Sequence, residues 1–236
     1  MDGMPELAPN AGKRLIIAVG GETYARLPIK THIVTDEDSL PELVEQYARP
    51  HFIPGDLLFI SERIVAITQG RAFPIRDIRP SPLAKFLVRF VHRSPYGIGL
   101  GSPWTMELAI KEAGAARILL GALAAALTKP FGMRGVFYRV VGKNINAIDG
   151  PCDYTLPPYN VYAKLGPANP EKVARELKSL FHHDVVIIDA NDLGVAVLGV
   201  SSGGNIDAFC KEVFRDNPLG QSTEQTPLCI VRRMSA

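Results

Sequence analysis

Short apolar runs typical of β-strands alternate with helix-like segments along this chain, but at uneven spacing. The strand-like runs are residues 13–21, 56–60, 136–141, 184–188, 194–200 and 226–233. A regular strand–helix rhythm would predict a doubly wound parallel sheet, and the chain has neither that rhythm nor an internal repeat. We therefore expect an α+β fold with mixed β-sheets.

Helix starts are marked by a capping residue followed by proline, at Ser81-Pro82, Ser102-Pro103 and Asn169-Pro170. Ser and Asn accept hydrogen bonds from the first free N–H groups of a helix, and proline suits its first turn. Apolar residues at helical spacing follow the first of these pairs and predict a core-facing helix, namely Leu83, Phe86, Leu87, Phe90 and Val91. The segment after the second pair predicts two helices parted near Gly114.

Composition argues against several main roles for this protein. The chain of 236 residues carries a net charge of only +2, with scattered Lys and Arg, which argues against nucleic-acid or membrane-surface binding as its main role. Its most apolar stretch, 118–127, is too short to span a bilayer, and no signal peptide is apparent. Three cysteines without a CxxC pair fit a reducing compartment, so a cytoplasmic location is expected.

Two aspartates each follow an extended run, Asp149 in NAIDG and Asp189 in VVIIDAND. A carboxylate at the end of a buried strand can face a cleft, and Mg²⁺ or Mn²⁺ prefers such oxygen ligands together with phosphates. The pair therefore indicates a divalent-metal site. The alternative is that each aspartate only caps a turn, which Asp does readily.

A polar loop, residues 218–227, precedes the last strand-like run. Gly220 would let backbone N–H groups approach an anion, and Gln221, Ser222 and Thr223 offer hydrogen bonds. The loop lacks the GK[ST] ending of a Walker motif, so an ordinary connector remains the alternative to a phosphate-binding loop.

Ordered segments along most of the chain resemble the coenzyme F420-0:γ-glutamyl ligase family. The most specific match is GDLLFISERIVAITQGR, residues 55–71, against the GD…GR signature of that family. The other similar segments are ARLPIKTHI (25–33), EDSLPELVE (37–45), NAIDG (146–150), VVIIDAND (185–192) and GQSTEQTPLCIVR (220–232).

The resemblance implies a GTP-dependent ligase that joins L-glutamate to a deazaflavin-type or other acidic acceptor with Mg²⁺ or Mn²⁺. It implies one ligase-like domain of two intertwined subdomains, about 13–75 plus 200–236 and about 76–199, which pairs as a homodimer through extended sheets. By position, Asp149 and Asp189 match the metal aspartates, and Gly220 to Thr223 match the nucleotide loop. Leu27, Pro28 and Ile29 match the segment that passes near the guanine nucleotide.

The chain departs from the family pattern at the nucleotide site. Ile67 stands where characterised members have a lysine, and Ala190 stands where a hydroxyl ligand is expected. Arg63 is the candidate to replace the lysine charge. These departures leave a second hypothesis open, a non-catalytic dimeric homologue that binds a phosphorylated or acidic small molecule without turnover.

Overall fold

The structure is a computed structural model that describes residues 7–91, 98–142, 145–153, 155–191, 194–203, 206–220 and 222–234. Its contacts divide the chain into two compact units. We call Met1–Gln69 with Ala168–Ala236 the sheet unit, and Gly70–Pro167 the helical unit.

The sheet unit is built on a six-stranded mixed sheet. Its strands are β1 (Ile16–Val19), β2 (Glu22–Ile29), β3 (Leu57–Ser61), β6 (Asp184–Asn191), β7 (Gly194–Val200) and β8 (Leu228–Arg233). They lie in the order β1-β2-β8-β3-β6-β7 across the sheet. Its helices are α1 (Leu40–Leu43), α2 (Glu62–Thr68), α7 (Pro170–Phe181) and α8 (Asp207–Val213). Strands β3 and β6 are parallel, and every other pair in this sheet is antiparallel. The expected α+β class with a mixed sheet is confirmed.

Both faces of the central strands are buried. Phe59, Val186 and Cys229 alternate with Leu58 and other fully buried residues, so successive side chains enter opposite faces. On one face the rings of Phe59 and Phe214 stack with centroids 4.5 Å apart, at the end of α8. Such strands appear in a sequence as continuous apolar runs, which is why the sequence identified them.

The position of β8 corrects an expectation. From the sequence, a terminal strand at 226–232 and a β-rich N-terminus suggest exposed edges that another chain could pair with. Instead β8 lies between β2 and β3, with Leu228 opposite Ile29 on one side and opposite Ile60 on the other. Both of its edges are therefore occupied, and β1 and β7 are the outer strands of the described sheet.

In its described residues, the helical unit combines four α-helices with a two-stranded sheet. Its helices are α3 (Pro82–Leu87), α4 (Pro103–Ala113), α5 (Ala115–Thr128) and α6 (Val136–Val141), and its strands are β4 (Ala72–Pro74) and β5 (Tyr162–Lys164). Ser81 and Ser102 cap α3 and α4 as predicted, and Ser102 forms a reciprocal capping box with Thr105. The predicted break at Gly114 is also present, since its φ of 86° separates α4 from α5.

The segment 136–141, expected to be a strand, is the helix α6. Gly135 and Gly142 bound it, both with positive φ, a conformation that glycine adopts readily. Helix α6 packs against α5 so closely that a Cβ on Gly121 would lie 2.5 Å from Cγ2 of Val141. Packing against α5 thus overrides the strand preference of its valines and aromatics.

The apolar face predicted after Ser81 is only partly a core face. Ala84 and Leu87 are buried, but Phe86 and Phe90 are 53% and 72% exposed. The helix ends at Leu87 and a 3₁₀ turn follows, which changes the direction of the later side chains.

The two units differ in extent from the subdomains expected at about 13–75 plus 200–236 and 76–199. Residues 168–199 belong to the sheet unit, because β6 pairs with β3. Among the residues that the structure describes, no helix has both the length and the apolar character needed to cross a bilayer.

Candidate functional site

Strand register brings several predicted site residues of the sheet unit to one end of the sheet. Ile29 ends β2 opposite Leu228, which begins β8 and also faces Ile60 near the end of β3. The last pair of β3 with β6 is Ser61 with Ile188, directly before Asp189. Hence the polar loop before β8, the start of α2 with Arg63, and Asp189 all lie at this end. We call it the loop end of the sheet.

Backbone hydrogen bonds hold the elements of the loop end together. The N–H of Thr31, just beyond β2, donates to the carbonyl of Gln225 at 2.9 Å. The N–H of Ser61 donates to the carbonyl of Pro227 at 2.8 Å. The loop before β8 is therefore tied to both neighbouring strands.

The segment Leu27-Pro28-Ile29 lies within β2. Leu27 is half-buried, whereas Pro28 and Ile29 are buried. β1 pairs with β2 only as far as Ala25, so the missing N–H of Pro28 falls where β8 is the only partner strand. The side chains of Pro28 and Ile29 thus contribute to the core.

The loop before β8 is fixed at both of its ends. Gly220, with a φ of 75°, donates its N–H to the carbonyl of Asn217 at 3.1 Å, and the Asn217 side chain donates back to the Gly220 carbonyl at 3.0 Å. Thr226 donates to the Leu219 carbonyl at 2.7 Å. Ser222 and Thr223 are exposed, as a ligand-binding role requires. Gln221 lies outside the described residues.

Glu224, which sequence reasoning missed, occupies the same loop. Its carboxylate accepts a hydrogen bond from the Ser222 N–H at 2.7 Å, and the Ser222 hydroxyl lies 3.3 Å from both of its oxygens. Burial disfavours its charge, but hydrogen bonds from the backbone N–H groups of Glu224 and Ser222 hold the pKa of Glu224 below its ordinary value. Ser222, which was expected to donate hydrogen bonds to a phosphate, therefore donates to the Glu224 carboxylate of the same loop.

Asp189 lies near the end of β6, opposite Ala196 of β7, and is half-buried. The Asn191 amide lies 3.5 Å from its Oδ1. Arg63 lies at the start of α2, where its N–H meets the Ser61 hydroxyl at 3.4 Å. Ile67, at the family lysine position, is only 4% exposed and packs into the core. That position therefore supplies packing instead of charge.

Asp149 belongs to the helical unit. It exchanges backbone hydrogen bonds with Lys164, at 3.1 and 2.9 Å, and its Oδ1 accepts the Gly150 N–H at 2.9 Å. A Cβ on Gly150 would lie 3.2 Å from methyl groups of Ile98 and Thr105, so glycine permits a close approach after Asp149. Asp149 is half-buried, whereas Asp153 is exposed. The close packing of Ile98 and Thr105 against Gly150 thus holds the turn that follows Asp149.

Oxygen donors of the type that Mg²⁺ and Mn²⁺ prefer are present at Asp149 and Asp189. Asp149 lies in the helical unit and Asp189 in the sheet unit. Across the described ranges, no group of three or more His, Cys, Asp or Glu side chains is arranged to hold a metal ion. A metal site formed by either aspartate would therefore need substrate phosphates or water as further ligands.

A surface cavity of about 460 Å³ lies elsewhere on the sheet unit, lined by Arg175, Lys178, Ser179, His182 and Ser201. It contains none of the predicted site residues. The Lys178 ammonium donates to Asp184 at 2.7 Å and to the Ser202 hydroxyl at 2.6 Å. Although burial opposes it, hydrogen bonds from Lys178 and from the serine hydroxyls hold the pKa of Asp184 below its usual range. The ion pair between Lys178 and Asp184 therefore neutralises part of the positive charge along this cavity.

Comparison with known proteins places the chain in a family. No curated protein matches it. The family model described as F420-0:gamma-glutamyl ligase matches residues 28–231, which include every predicted site residue except Leu27. Because this match covers most of the 236 residues, the chain belongs to the F420-0:gamma-glutamyl ligase family.

Proposed function

We propose that the protein is a GTP- and divalent-metal-dependent amide ligase that adds L-glutamate to an acidic or phosphorylated small molecule. Coenzyme F420-0 or a related deazaflavin is the acceptor suggested by the family. The observation that carries this proposal is the family match over residues 28–231, which extends through both units. A family match to one unit alone would give weaker support, because function depends on the residues of the site and not on the fold.

The loop end of the sheet supports a nucleotide-binding role. Ile29, Arg63 and Asp189 are far apart in sequence and lie at this end by strand register, and the hydrogen bond from Thr226 to Leu219 keeps the loop with Gly220 there. Ligands in sheets with parallel strands commonly bind beyond the carboxyl ends of those strands, and β3 and β6 both end here. Exposed Thr223 would donate a hydrogen bond to phosphate oxygens, Ser222 would do so once released from Glu224, and Arg63 would supply positive charge.

In this proposal Asp149 and Asp189 would each supply a carboxylate ligand to Mg²⁺ or Mn²⁺, and the metal would neutralise phosphate charge when bound. The acceptor carboxylate attacks the γ-phosphorus of GTP, so that a C–O–P bond forms and GDP leaves. The amine of L-glutamate then attacks the acyl carbon, loses a proton and displaces inorganic phosphate. The contribution of the chain is to position the reactants and neutralise charge, and no residue is assigned as general base.

Calorimetric titration of Mn²⁺ tests the metal residues, with wild type, Asp149→Asn, Asp189→Asn and the control Asp153→Asn. We expect each of the first two variants to bind at least about tenfold more weakly, because a carboxylate ligand is lost. Asp153 is exposed and matches no family ligand, so its variant should behave as wild type. Wild-type affinity in both Asp149→Asn and Asp189→Asn would refute the metal assignment.

Thermal shift with GTP tests the nucleotide. GTP should raise the melting temperature only when Mn²⁺ or Mg²⁺ is present, because no lysine stands at position 67. A ligand at 100 times its Kd stabilises the folded state by about 2.7 kcal/mol. A flat response to all nucleoside triphosphates at millimolar concentration would contradict nucleotide binding.

The second candidate function is a non-catalytic small-molecule-binding homologue. The replacement of the family lysine by a buried Ile67 and of the hydroxyl ligand by Ala190 favours it. Mass spectrometry of the acceptor after incubation with GTP, Mn²⁺ and glutamate separates the two. Appearance of a glutamyl amide supports the ligase, whereas tight acceptor binding without product supports the binding homologue.

A homodimer formed by strand pairing also belongs to this proposal. Since β8 is flanked on both sides, pairing between chains would use β1 or β7, the outer strands of the described sheet. Light scattering at micromolar concentration should give twice the chain mass of 25.7 kDa. A monomer under these conditions would exclude the dimer.

A further inference from the structure

Helix α5 presents two different apolar faces. Ile118 and Gly121 are buried on the side that packs against α6. On the other side four leucines are exposed, namely Leu119 (46%), Leu120 (59%), Leu123 (57%) and Leu127 (63%). Positions 119, 123 and 127 follow each other at intervals of four, so they form one stripe along the helix.

The apolar character continues into the loop after α5. Phe131 is 81% exposed and Met133 is 50% exposed, with Gly132 between them in a left-handed conformation. We call the four exposed leucines of α5, together with Phe131 and Met133, the leucine surface. Its six apolar residues are 46–81% exposed, and an apolar patch of this kind on a soluble monomer marks an interaction site.

The charges around the leucine surface have one sign. From residue 113 to residue 148 the sequence contains no Asp or Glu, but it contains Arg117, Lys129, Arg134 and Arg139 among the described residues. Arg117 stands at the start of the leucine stripe, and Lys129 and Arg134 flank Phe131 and Met133. The small net charge of the whole chain conceals this local excess. The complementary partner is therefore an anionic one.

A second copy of the same surface does not fit these charges. In a parallel pair of α5 helices Arg117 would lie near Arg117 of the other chain, and in an antiparallel pair it would lie near Lys129. The segment from 113 to 148 contains no acidic residue that could offset these like charges. Like charges that face each other across an interface are unfavourable. Charge thus argues against self-association through the leucine surface.

A specific protein partner would also find few uncharged hydrogen-bonding groups. Protein interfaces carry about one hydrogen bond per 100–200 Å². Between 115 and 141 the sequence contains no Ser, Asn or Gln, and the Thr128 hydroxyl donates to the Ala124 carbonyl at 2.7 Å. A lipid surface requires none of these groups. Apolar side chains flanked by cations are instead the pattern of helices that lie in a membrane interface.

We propose that the leucine surface docks peripherally on a membrane of anionic phospholipids. The leucines and Phe131 insert at the boundary between head groups and acyl chains, while Arg117, Lys129 and Arg134 contact lipid phosphates. This proposal is independent of the ligase activity.

Vesicle co-sedimentation of the full chain tests the proposal. Vesicles of phosphatidylcholine alone are compared with vesicles that contain 30% phosphatidylglycerol, at low salt and at 0.5 M NaCl. We expect binding to the anionic vesicles only, reduced at high salt because surface attraction is screened.

Variants separate the apolar and the ionic contributions. Leu123→Gln should weaken partitioning at least about tenfold, because a leucine no longer leaves water. The matched control Leu180→Gln changes a leucine on α7 that is equally exposed, at 58%, and should leave partitioning unchanged. Arg134→Gln should weaken partitioning about fivefold, since one unit of charge is lost near the anionic surface.

Circular dichroism checks that each variant is folded, and light scattering reports its mass. Failure of the wild type to bind anionic vesicles would overturn the proposal. So would equal losses in Leu123→Gln and Leu180→Gln. A wild-type dimer that dissociates in Leu123→Gln, without vesicle binding, would show that a second copy covers the surface and would likewise overturn the proposal.

Discussion

Arg232 on β8 forms a two-pronged ion pair with Asp56, the residue that precedes β3. Its Nε lies 2.9 Å from Oδ1 and its Nη2 lies 2.8 Å from Oδ2, while the Asp56 side chain is fully buried. The same Nη2 also donates to the His51 carbonyl at 2.7 Å, and the Ile53 N–H donates to Asp56 at 2.9 Å. The pair thus ties the central strand to the segment that leads into β3.

We expect Asp56→Asn to lower the free energy of unfolding by about 3 kcal/mol, because it leaves the guanidinium of Arg232 without its charged partner. Urea denaturation measures this change. The control is Glu22→Gln, which breaks the neighbouring Arg233–Glu22 pair, with side chains 65% and 44% exposed. Exposed pairs contribute 1 kcal/mol or less, so equal effects of the two variants would contradict the expectation.

The acid sensitivity of the sheet unit should depend on Asp216. The buried Arg26 guanidinium donates hydrogen bonds to both Asp216 oxygens, and these bonds hold the pKa of Asp216 below its ordinary value. A lowered folded-state pKa stabilises the protein fully above the unfolded value of about 3.9, and the stabilisation is lost as the pH falls through the folded-state value. Urea midpoints from pH 6 to pH 2 should therefore decline less steeply in Asp216→Asn than in wild type. The exposed Asp77→Asn serves as control, and a wild-type slope in Asp216→Asn would disprove this role.

Gly199 should be intolerant of any side chain. A Cβ there would lie 2.4 Å from the carbonyl carbon of Pro170 and 2.6 Å from the amide nitrogen of Glu171, both backbone atoms at the start of α7. We expect Gly199→Ala to lower the free energy of unfolding by roughly 3 kcal/mol, since α7 must move away from β7. Gly194→Ala in the same strand meets no atom within 4 Å and is the matched control. Similar melting temperatures for both variants would refute the close approach.

Glu224 should oppose the binding of an anion at the loop before β8. Glu224→Gln removes the charge that holds the Ser222 N–H, so we expect metal-free GTP, which binds wild type too weakly to raise its melting temperature, to bind several-fold more tightly. Fluorescence titration with a labelled nucleotide measures the affinity. A loss of affinity that appears only with Mn²⁺ present would instead identify Glu224 as a metal ligand.

The sequence predicted most strands and helix starts because their local signals agree with their environment. The runs 184–188 and 194–200 are apolar and lie in the sheet, and Ser81 and Ser102 accept the expected cap hydrogen bonds. It failed at 136–141, where five of six residues have strand preference but the segment packs as a helix on Gly121. That contact is set by tertiary structure and leaves no periodic signal in so short a run.

The candidate site was likewise predictable from the sequence only in part. Residue types and family resemblance identified Asp189, Arg63 and Gly220, but only strand register reveals that they lie at the same end of the sheet. Glu224 gave no signal, because the capture of the Ser222 N–H depends on the backbone geometry of the loop. A spacing rule cannot supply such a contact.

The central position of β8 has a consequence for biosynthesis. Of the strands in the sheet it is the last to leave the ribosome, yet β2 and β3 both depend on it for their pairing. Until Leu228 and its successors emerge, the nascent chain can hold only two separate partial sheets, β1-β2 and β3-β6-β7, each with an open apolar edge. Such edges promote misassociation of unfinished chains. The sheet unit therefore completes its folding late, and a ribosome that stops before Leu228 releases two unjoined half-sheets in place of a shortened domain.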